Sequence, residues 1–204
     1  MNAGATGCRG RLAGRLAALV LIAGMAACRS LPAPVPLEHR YAGRFSLAVL
    51  HHAPDQDGRR EAYSGRFALQ VGAQALALDL VSPLGATIAR FETDPHEARL
   101  LVPDAGGVRV ERGSDAQALS ERVLGWSLPV AGMPDWVQGR PAPTRPFQAL
   151  PGAGAQQRFE QDGWSVTVDA PEPDRPGLRL QMDRAGAAGS PDVALRVVLD
   201  GPPA

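Results

Sequence analysis

Two cysteines, Cys8 and Cys28, carry the only thiols of this 204-residue chain. Cys28 follows an uncharged apolar run, residues 16–27, which is preceded by three arginines and ends in small side chains. About a dozen residues are too few to cross a bilayer, which needs roughly 20, but they fit the core of an export signal. Cleavage before Cys28 would remove Cys8 and leave one thiol, so the mature chain forms no internal disulfide.

The residues around Cys28 predict a covalent modification of its sulfur. Met25-Ala26-Ala27-Cys28 resembles the bacterial lipobox, in which the cysteine is acylated and becomes the first residue, although the lipobox prefers leucine where Met25 stands. Since one acyl chain binds a membrane only marginally, a multiply acylated cysteine is what makes the anchor stable. Aspartate after the cysteine retains Gram-negative lipoproteins at the inner membrane. Arg29 stands there instead, which predicts the outer membrane.

The segment after the anchor is rich in proline. Pro32, Pro34 and Pro36 favour an extended polyproline II spacer of about 3.1 Å per residue. The sequence therefore divides into a signal peptide (residues 1–27), a lipidated N-terminus with its tether (28–40) and a folded domain (41–204). About 165 residues are enough for one domain with its own core.

Composition and motifs argue against nucleic-acid binding and catalysis. Without the signal, 18 basic residues, all arginine, stand against 21 acidic ones, and no basic patch is evident. No G-x-S-x-G elbow, phosphate-binding glycine loop or H-E-x-x-H motif occurs. His51 and His52 lie near Asp55 and Asp57, where a weak metal site is the alternative to a solvated loop. We expect no catalytic residue, no metal and no cofactor, which favours a binding protein.

A leucine stands at an unusual place within residues 78–90. Ser82-Pro83-Leu84-Gly85 has the chemistry of a tight turn, because proline fixes φ and glycine accepts positive φ. Turn positions normally carry small or polar residues, whereas Leu84 is large and aliphatic. From the residues alone two interpretations stay open: the leucine folds back onto the sheet as a cap, or it projects outward.

Alternation of apolar and polar residues predicts that most of the domain is β-structure. A period of two marks strands with one dry face and one wet face. The residues predicted to share apolar faces are Tyr41, Gly43, Phe45, Leu47 and Val49; Tyr63, Gly65, Phe67, Leu69 and Val71; Leu76, Leu78 and Leu80; Trp164, Val166 and Val168; Leu178, Leu180 and Met182; and Val193, Leu195, Val197 and Leu199. Short connections such as Asp162-Gly163 predict an antiparallel meander of roughly ten strands, more than a flat sheet holds.

One segment, residues 113–141, interrupts this pattern and is predicted to be helical. Ser114 is the predicted N-cap, Gly125 ends the first helix, and residues 134–138 form a second short one. The apolar side chains of the segment are Trp126, Met133 and Trp136. Periodicity alone favours a cap over the core of an α+β domain, and a lid over a pocket is the alternative.

Four features occurring in this order resemble the LolB family of outer-membrane lipoprotein receptors. They are the lipobox, an "LxLxxPLGA" hairpin at residues 78–86, an "LGWxLPxxxxxxW" segment at 124–136 and an "FxQDGWxV" hairpin at 159–166. The similarity runs over residues 41–199, and the order and spacing of the motifs carry most of its weight. Ala68 departs from the family, which often has an aromatic residue there, and no tryptophan lies near the last strand.

The resemblance implies a mainly β (α+β) fold, an unclosed antiparallel β-barrel of roughly ten or eleven strands with a short helical lid over an apolar cavity. It implies that Pro83, Leu84 and Gly85 form a loop that projects from the barrel and inserts cargo into the membrane. The candidate residues of the cavity and its lid are Phe45, Leu47, Phe67, Leu78, Leu80, Trp126, Met133, Trp136, Val166 and Leu180.

The resemblance also implies a task, which is to accept acylated lipoproteins from the periplasmic carrier LolA and place them in the inner leaflet of the outer membrane. The expected protein is a monomer anchored through Cys28 on the periplasmic face, with no nucleic-acid partner. Two alternatives come from other classes. One is a structural or assembly module whose apolar face is filled by its own core, and the more distant one is a hydrolase.

Overall fold

Eleven antiparallel strands make up one sheet in the computed structural model, which describes residues 38–52, 58–174, 176–187 and 190–201. The predicted signal peptide, Cys28 and the proline-rich tether lie outside the described residues, as do Asp55 and Asp57. In chain order the strands are β1 (His39–Leu50), β2 (Arg60–Val71), β3 (Leu76–Val81), β4 (Thr87–Thr93), β5 (Ala98–Asp104), β6 (Gly107–Gly113), β7 (Gln148–Leu150), β8 (Gln157–Gln161), β9 (Trp164–Asp169), β10 (Arg179–Arg184) and β11 (Asp192–Leu199).

The sheet order is β6-β5-β4-β3-β2-β1-β11-β10-β9-β8-β7. The chain starts at the centre with β1, runs outward to the edge strand β6, reappears at the opposite edge with β7 and returns to pair β11 with β1. Because β6 and β7 are both edges and do not pair with each other, the barrel is unclosed, as expected. The prediction that strands adjacent in the sequence pair with each other is wrong only for β6 and β7, which the helical insert separates.

The alternation predicted from the sequence sets the two faces of the sheet. On β11, Val193, Leu195, Val197 and Leu199 are all buried. Tyr63 lies on the face of the sheet that the alternation predicts, but its side chain is 43% exposed. It lies on the part of β2 that continues past the last β3 pair, Arg66 with Val81, so no neighbouring strand covers it on that side.

The β8–β9 hairpin confirms the turn that its sequence predicts. Asp162 and Gly163 both have positive φ, 53° and 77°, and they join the paired residues Gln161 and Trp164. Positive φ at both central residues is what a two-residue type I′ turn requires, and its twist matches that of the flanking strands.

The first helix of the insert, α1 (Ala116–Leu124), begins one residue later than predicted. Asp115 and not Ser114 is its N-cap, and the Asp115 carboxylate accepts a hydrogen bond of 2.8 Å from the backbone N–H of Ala118. A carboxylate at this position also carries negative charge where the helix dipole favours it. Gly125 ends the helix as predicted, with a φ of 80°.

The second helix, α2 (Met133–Trp136), is a single turn that overlaps the predicted residues 134–138. Its proline stands in the first turn, where the missing backbone N–H costs no helical hydrogen bond. No helix in the described ranges is long and apolar enough to cross a membrane.

The strand register defines two ends of the sheet. At the first, here the His39 end, His39 pairs with Val71. At the second, here the Leu84 end, Leu50 pairs with Arg60, and β3 leads from Val81 into the turn that carries Leu84. The described chain starts at the His39 end, opposite Leu84.

Candidate functional site

The helical insert covers the inner face of the sheet and leaves a small apolar cavity beneath it. The cavity has a volume of about 30 Å³ and is lined entirely by apolar residues, which are Phe45, Leu47, Phe67, Leu78, Leu80, Leu128, Pro129, Val130, Met133, Leu195 and Val197. A single water needs roughly 10–15 Å³ measured in this way. The cavity could hold a molecule or two of that size and is far too small for an acyl chain, so the lid is closed in this structure.

A larger groove lies beside the closed cavity and opens to solvent. Its volume is about 320 Å³, and its lining residues are Phe45, Leu47, Glu61, Tyr63, Leu80, Ile88, Ala89, Phe91, Val102, Val123, Leu124, Trp126 and Leu128. Phe45, Leu47, Leu80 and Leu128 line both spaces. Of these four only Leu128 belongs to the insert, so displacing the segment around it would join the groove and the cavity into one.

The residues that were predicted to form the cavity and its lid fall into three groups in the structure. Phe45, Leu47, Phe67, Leu78, Leu80 and Met133 line the closed cavity, and Trp126 lines the groove. Trp136, Val166 and Leu180 line neither space, and all three are buried in the core. Sequence reasoning did not single out Leu128, Val130, Leu195 and Val197 as lining residues. The period of two placed Leu195 and Val197 on an apolar face, but no signal separates cavity lining from core on such a face.

Trp136 belongs to a buried hydrogen-bonded node that fixes the base of the insert. Its indole Nε1–H donates to Gln161 Oε1 at 2.8 Å, and its ring meets Phe159 edge to face at 6.1 Å. Gln161 Oε1 also accepts from the backbone N–H of Ala142 at 2.8 Å, while its Nε2 donates to the carbonyls of Ala142 at 2.9 Å and Arg145 at 3.1 Å. One buried glutamine thus ties α2, the crossover segment and β8 together.

The other half of the insert packs against one edge of the sheet and is also held by a weak contact from across the opening. Helix α1 packs against β5 and β6, whereas Arg184 stands at the end of β10 in the other half of the sheet. The Arg184 guanidinium donates to Ser127 Oγ at 3.0 Å and to Glu121 Oε1 at 3.3 Å. Both partners of the ion pair are partly exposed, and such pairs contribute only about 0.2–1 kcal/mol. We call the contacts of Arg184 with Ser127 and Glu121 the Arg184 clasp. The clasp can break at little cost in free energy, whereas the buried hydrogen bonds around Gln161 cannot.

The turn between β3 and β4 projects Leu84 into solvent. The backbone N–H of Gly85 donates to the carbonyl of Ser82 at 2.9 Å, and Ser82 Oγ accepts from the N–H of Ala86 at 3.1 Å. Pro83 fixes the second position of the turn, and Gly85 has a φ of 87°, which glycine adopts without strain. Leu84 is 97% exposed. The leucine does not fold back onto the sheet, so capping of the core is not its role.

The ionisable groups near the groove bind one another. The Tyr63 hydroxyl donates to Glu61 Oε2 at 2.8 Å, and this hydrogen bond raises the pKa of the phenol above its usual value. Glu61 also pairs with Arg59 at 3.0 Å. His51 faces Glu61 at 3.5 Å, whereas His52 pairs with Asp192 at 2.9 Å. Across residues 38–52, 58–174, 176–187 and 190–201, no group of three or more His, Cys, Asp and Glu residues could hold a metal ion.

Comparisons with known proteins agree on one family. The chain matches the family model described as "Outer membrane lipoprotein LolB" over residues 38–200. A protein named outer-membrane lipoprotein LolB from Cupriavidus pinatubonensis is 36% identical over 171 residues, which cover 78% of this chain and 77% of that protein. Proteins of the same name from Bordetella petrii (36% identity, 83% and 82% covered) and Thiobacillus denitrificans (35% identity, 75% and 77% covered) are similar as well.

Proposed function

The chain belongs to the LolB family of outer-membrane lipoproteins, and we propose that it accepts acylated lipoproteins from the periplasmic carrier LolA and inserts them into the inner leaflet of the outer membrane. The observation that carries this proposal is that an apolar cavity and a mainly apolar groove share four lining residues, three on the sheet and one, Leu128, in the helical insert. Leu84, which is 97% exposed, projects at the end of the sheet towards which Glu61 and Tyr63 of the groove wall lie.

Free-energy magnitudes explain why such a task needs an enclosed apolar path. Burying one methylene is worth about 0.8 kcal/mol, so a C16 acyl chain in water costs on the order of 12 kcal/mol. Three chains on one cargo cost roughly three times as much, which makes release into free water negligible. A groove that receives the chains directly from a carrier removes this barrier without ATP.

The closed cavity assigns different roles to the two halves of the insert. The chains need far more room than about 30 Å³, so loading requires that the segment around Leu128 moves away from the sheet. The Arg184 clasp releases readily, whereas Trp136 stays fixed by Gln161. The insert therefore opens as a lid whose base remains attached to β8, and the groove and the cavity merge into one acyl-binding channel.

Acyl binding in the groove predicts a difference between two exposed aromatic residues. Tyr63→Ser, in the groove wall, is expected to weaken binding of an apolar fluorescent dye severalfold and to weaken competition by an acylated peptide equally, because a large contact surface is lost. Phe147→Ser is the matched control, since Phe147 is also exposed but lines another surface hollow, and it should leave both affinities unchanged. Dye titration of the folded full-length proteins measures this. Absence of dye binding by the wild type would favour a structural module instead.

Anchoring through Cys28 makes a separate prediction. The mature protein purified from membranes should begin at Cys28 and carry acyl groups on that residue, because the short apolar run and the small residues before it form a lipoprotein cleavage site. Mass spectrometry of the N-terminal peptide tests this. An unmodified Cys28, or a mature chain that starts elsewhere, would contradict it, and Cys28→Ser should abolish the modification.

A further inference from the structure

The surface at the Leu84 end is more apolar than Leu84 alone accounts for. Six large apolar side chains are exposed in the part of the chain that the structure describes, and four of them lie at this end. Besides Leu84 they are Leu50 (37% exposed), Tyr63 (43%) and Val108 (61%). Leu50 ends β1, and Val108 pairs with Pro103 beside the β5–β6 turn. The register therefore gathers apolar side chains from three separate connections at one end of the barrel.

Two arginines that form no ion pair with a described carboxylate lie on the outer face of the same region. Arg60 pairs with Leu50 across β1 and β2, and Arg196 pairs with Ser46 across β11 and β1. Both side chains are exposed, and neither forms an ion pair with a described residue. They line one hollow of about 300 Å³, together with the hydroxyl-bearing residues Ser46 and Ser64.

The carboxylates of the surrounding strands already have partners. Asp200 pairs with Arg66 at 2.7 Å. The Asp192 carboxylate accepts a hydrogen bond of 2.8 Å from the backbone N–H of Gly186 and pairs with His52 at 2.9 Å, and both interactions lower its pKa. Asp183, which with Asp192 and Arg60 borders the adjacent hollow, accepts a hydrogen bond from Gln181 at 2.8 Å. Among the described residues, no carboxylate lines the hollow between the two arginines.

We propose that Arg60 and Arg196 bind the phosphate of an anionic phospholipid headgroup, so that the Leu84 end docks on the leaflet through headgroup contacts as well as through Leu84. A guanidinium presents paired N–H donors that match phosphate oxygens, and the two serine hydroxyls can donate further hydrogen bonds. Tyr63 suits the same interface, because its ring is apolar and its hydroxyl is polar. This inference rests on the proposed docking of Leu84 and adds the class of lipid that the docking surface selects.

Deuterium exchange of the full-length acylated protein in vesicles tests the proposal without carrier or cargo. The vesicles consist of phosphatidylcholine with or without phosphatidylglycerol, and the readout is deuterium uptake by residues 82–86. Phosphatidylglycerol should slow uptake in the wild type. Each arginine should contribute about fivefold to the docked population, so the double variant Arg60→Gln/Arg196→Gln should lose most of this protection. In phosphatidylcholine alone, wild type and variant should behave alike.

Arg158→Gln is the control for the loss of one positive charge outside the proposed site. Arg158 is an exposed arginine on β8 whose guanidinium donates a long hydrogen bond of 3.5 Å to the Pro151 carbonyl. Arg158→Gln removes one positive charge, as Arg60→Gln and Arg196→Gln each do. The control should keep the protection by phosphatidylglycerol. If it loses protection as the double variant does, or if the double variant keeps it, the headgroup site is wrong.

Cargo delivery in the same vesicles separates this inference from the proposed function. If Leu84→Glu blocks delivery while the arginine variants keep their protection by phosphatidylglycerol, the proposed function stands and the headgroup site fails. If the arginine variants lose protection but Leu84→Glu delivers cargo normally, the headgroup site stands and the proposed insertion role of Leu84 fails.

Discussion

Leu84→Glu should block delivery of lipoproteins to membranes while leaving the fold and acceptance from the carrier intact. Burial of one leucine in the acyl region contributes about 1.5–3 kcal/mol, so its loss should lower the docked population roughly 10- to 100-fold. The added carboxylate lowers it further, because a charge is unfavourable among acyl chains. Delivery from a loaded carrier to vesicles should fall accordingly.

The controls for Leu84→Glu depend on the exposure of the leucine. Because Leu84 is 97% exposed, the substitution should change the free energy of unfolding by no more than about 0.5 kcal/mol. Leu84→Ile keeps the apolar surface and should deliver cargo at nearly the rate of the wild type. A large fall in melting temperature for Leu84→Glu, or acceptance and delivery lost together, would contradict a role confined to the membrane step.

Gln161→Leu should cause the largest loss of stability among the substitutions considered. Leucine is similar in size but leaves three buried groups without their partner, namely the Nε1–H of Trp136 and the backbone N–H and carbonyl of Ala142. Each unsatisfied buried group costs about 1–3 kcal/mol, so the total is at least about 3 kcal/mol. For a domain of this size the melting temperature should fall by at least about 6–12 °C, as calorimetry can measure.

A second glutamine offers a matched comparison. Gln138 is exposed, and its Nε2 donates only to the carbonyl of Pro134 at 2.6 Å. Gln138→Leu should therefore alter stability by about 0.5 kcal/mol or less. If Gln161→Leu proves equally mild, the node does not hold the base of the insert, and the distinction between a fixed half and a releasable half of the lid is lost.

Apolar patterning made most of the strands predictable, because a residue in a strand faces either the core or the solvent. That rule placed Phe45, Leu47 and Leu195 on the inner face. It could not distinguish the residues that line the cavity from those that pack in the core. Val166 has the same pattern as Leu47 but lies away from both the cavity and the groove, because the position of the insert above the sheet decides which side chains border an empty space.

The start of α1 and the hydrogen bonds of Gln161 could not be predicted from short stretches of sequence. Ser114 and Asp115 are both good N-caps, and only the observed hydrogen bond to Ala118 selects Asp115. Gln161 occurs in a polar-looking "QDG" turn, yet it is buried. Its partners lie 16 to 25 residues earlier in the chain, a separation at which no spacing rule operates.

The sequence by itself determined the family, the antiparallel strands, the turn chemistry around Pro83 and Gly85, and the expectation of an anchor at Cys28. These features depend on residues close together in the chain, whose conformations follow from local sterics and alternating polarity. Only the tertiary structure decided that the lid is closed, that Leu84 is exposed and that Arg184 reaches Glu121 across the opening. It also decided that Arg60 and Arg196 share one hollow. The exposure of Leu84 depends on the β3–β4 turn. The contact of Arg184 with Glu121 and the hollow shared by Arg60 and Arg196 depend on the pairing of β1 with β11, which brings the two halves of the chain side by side.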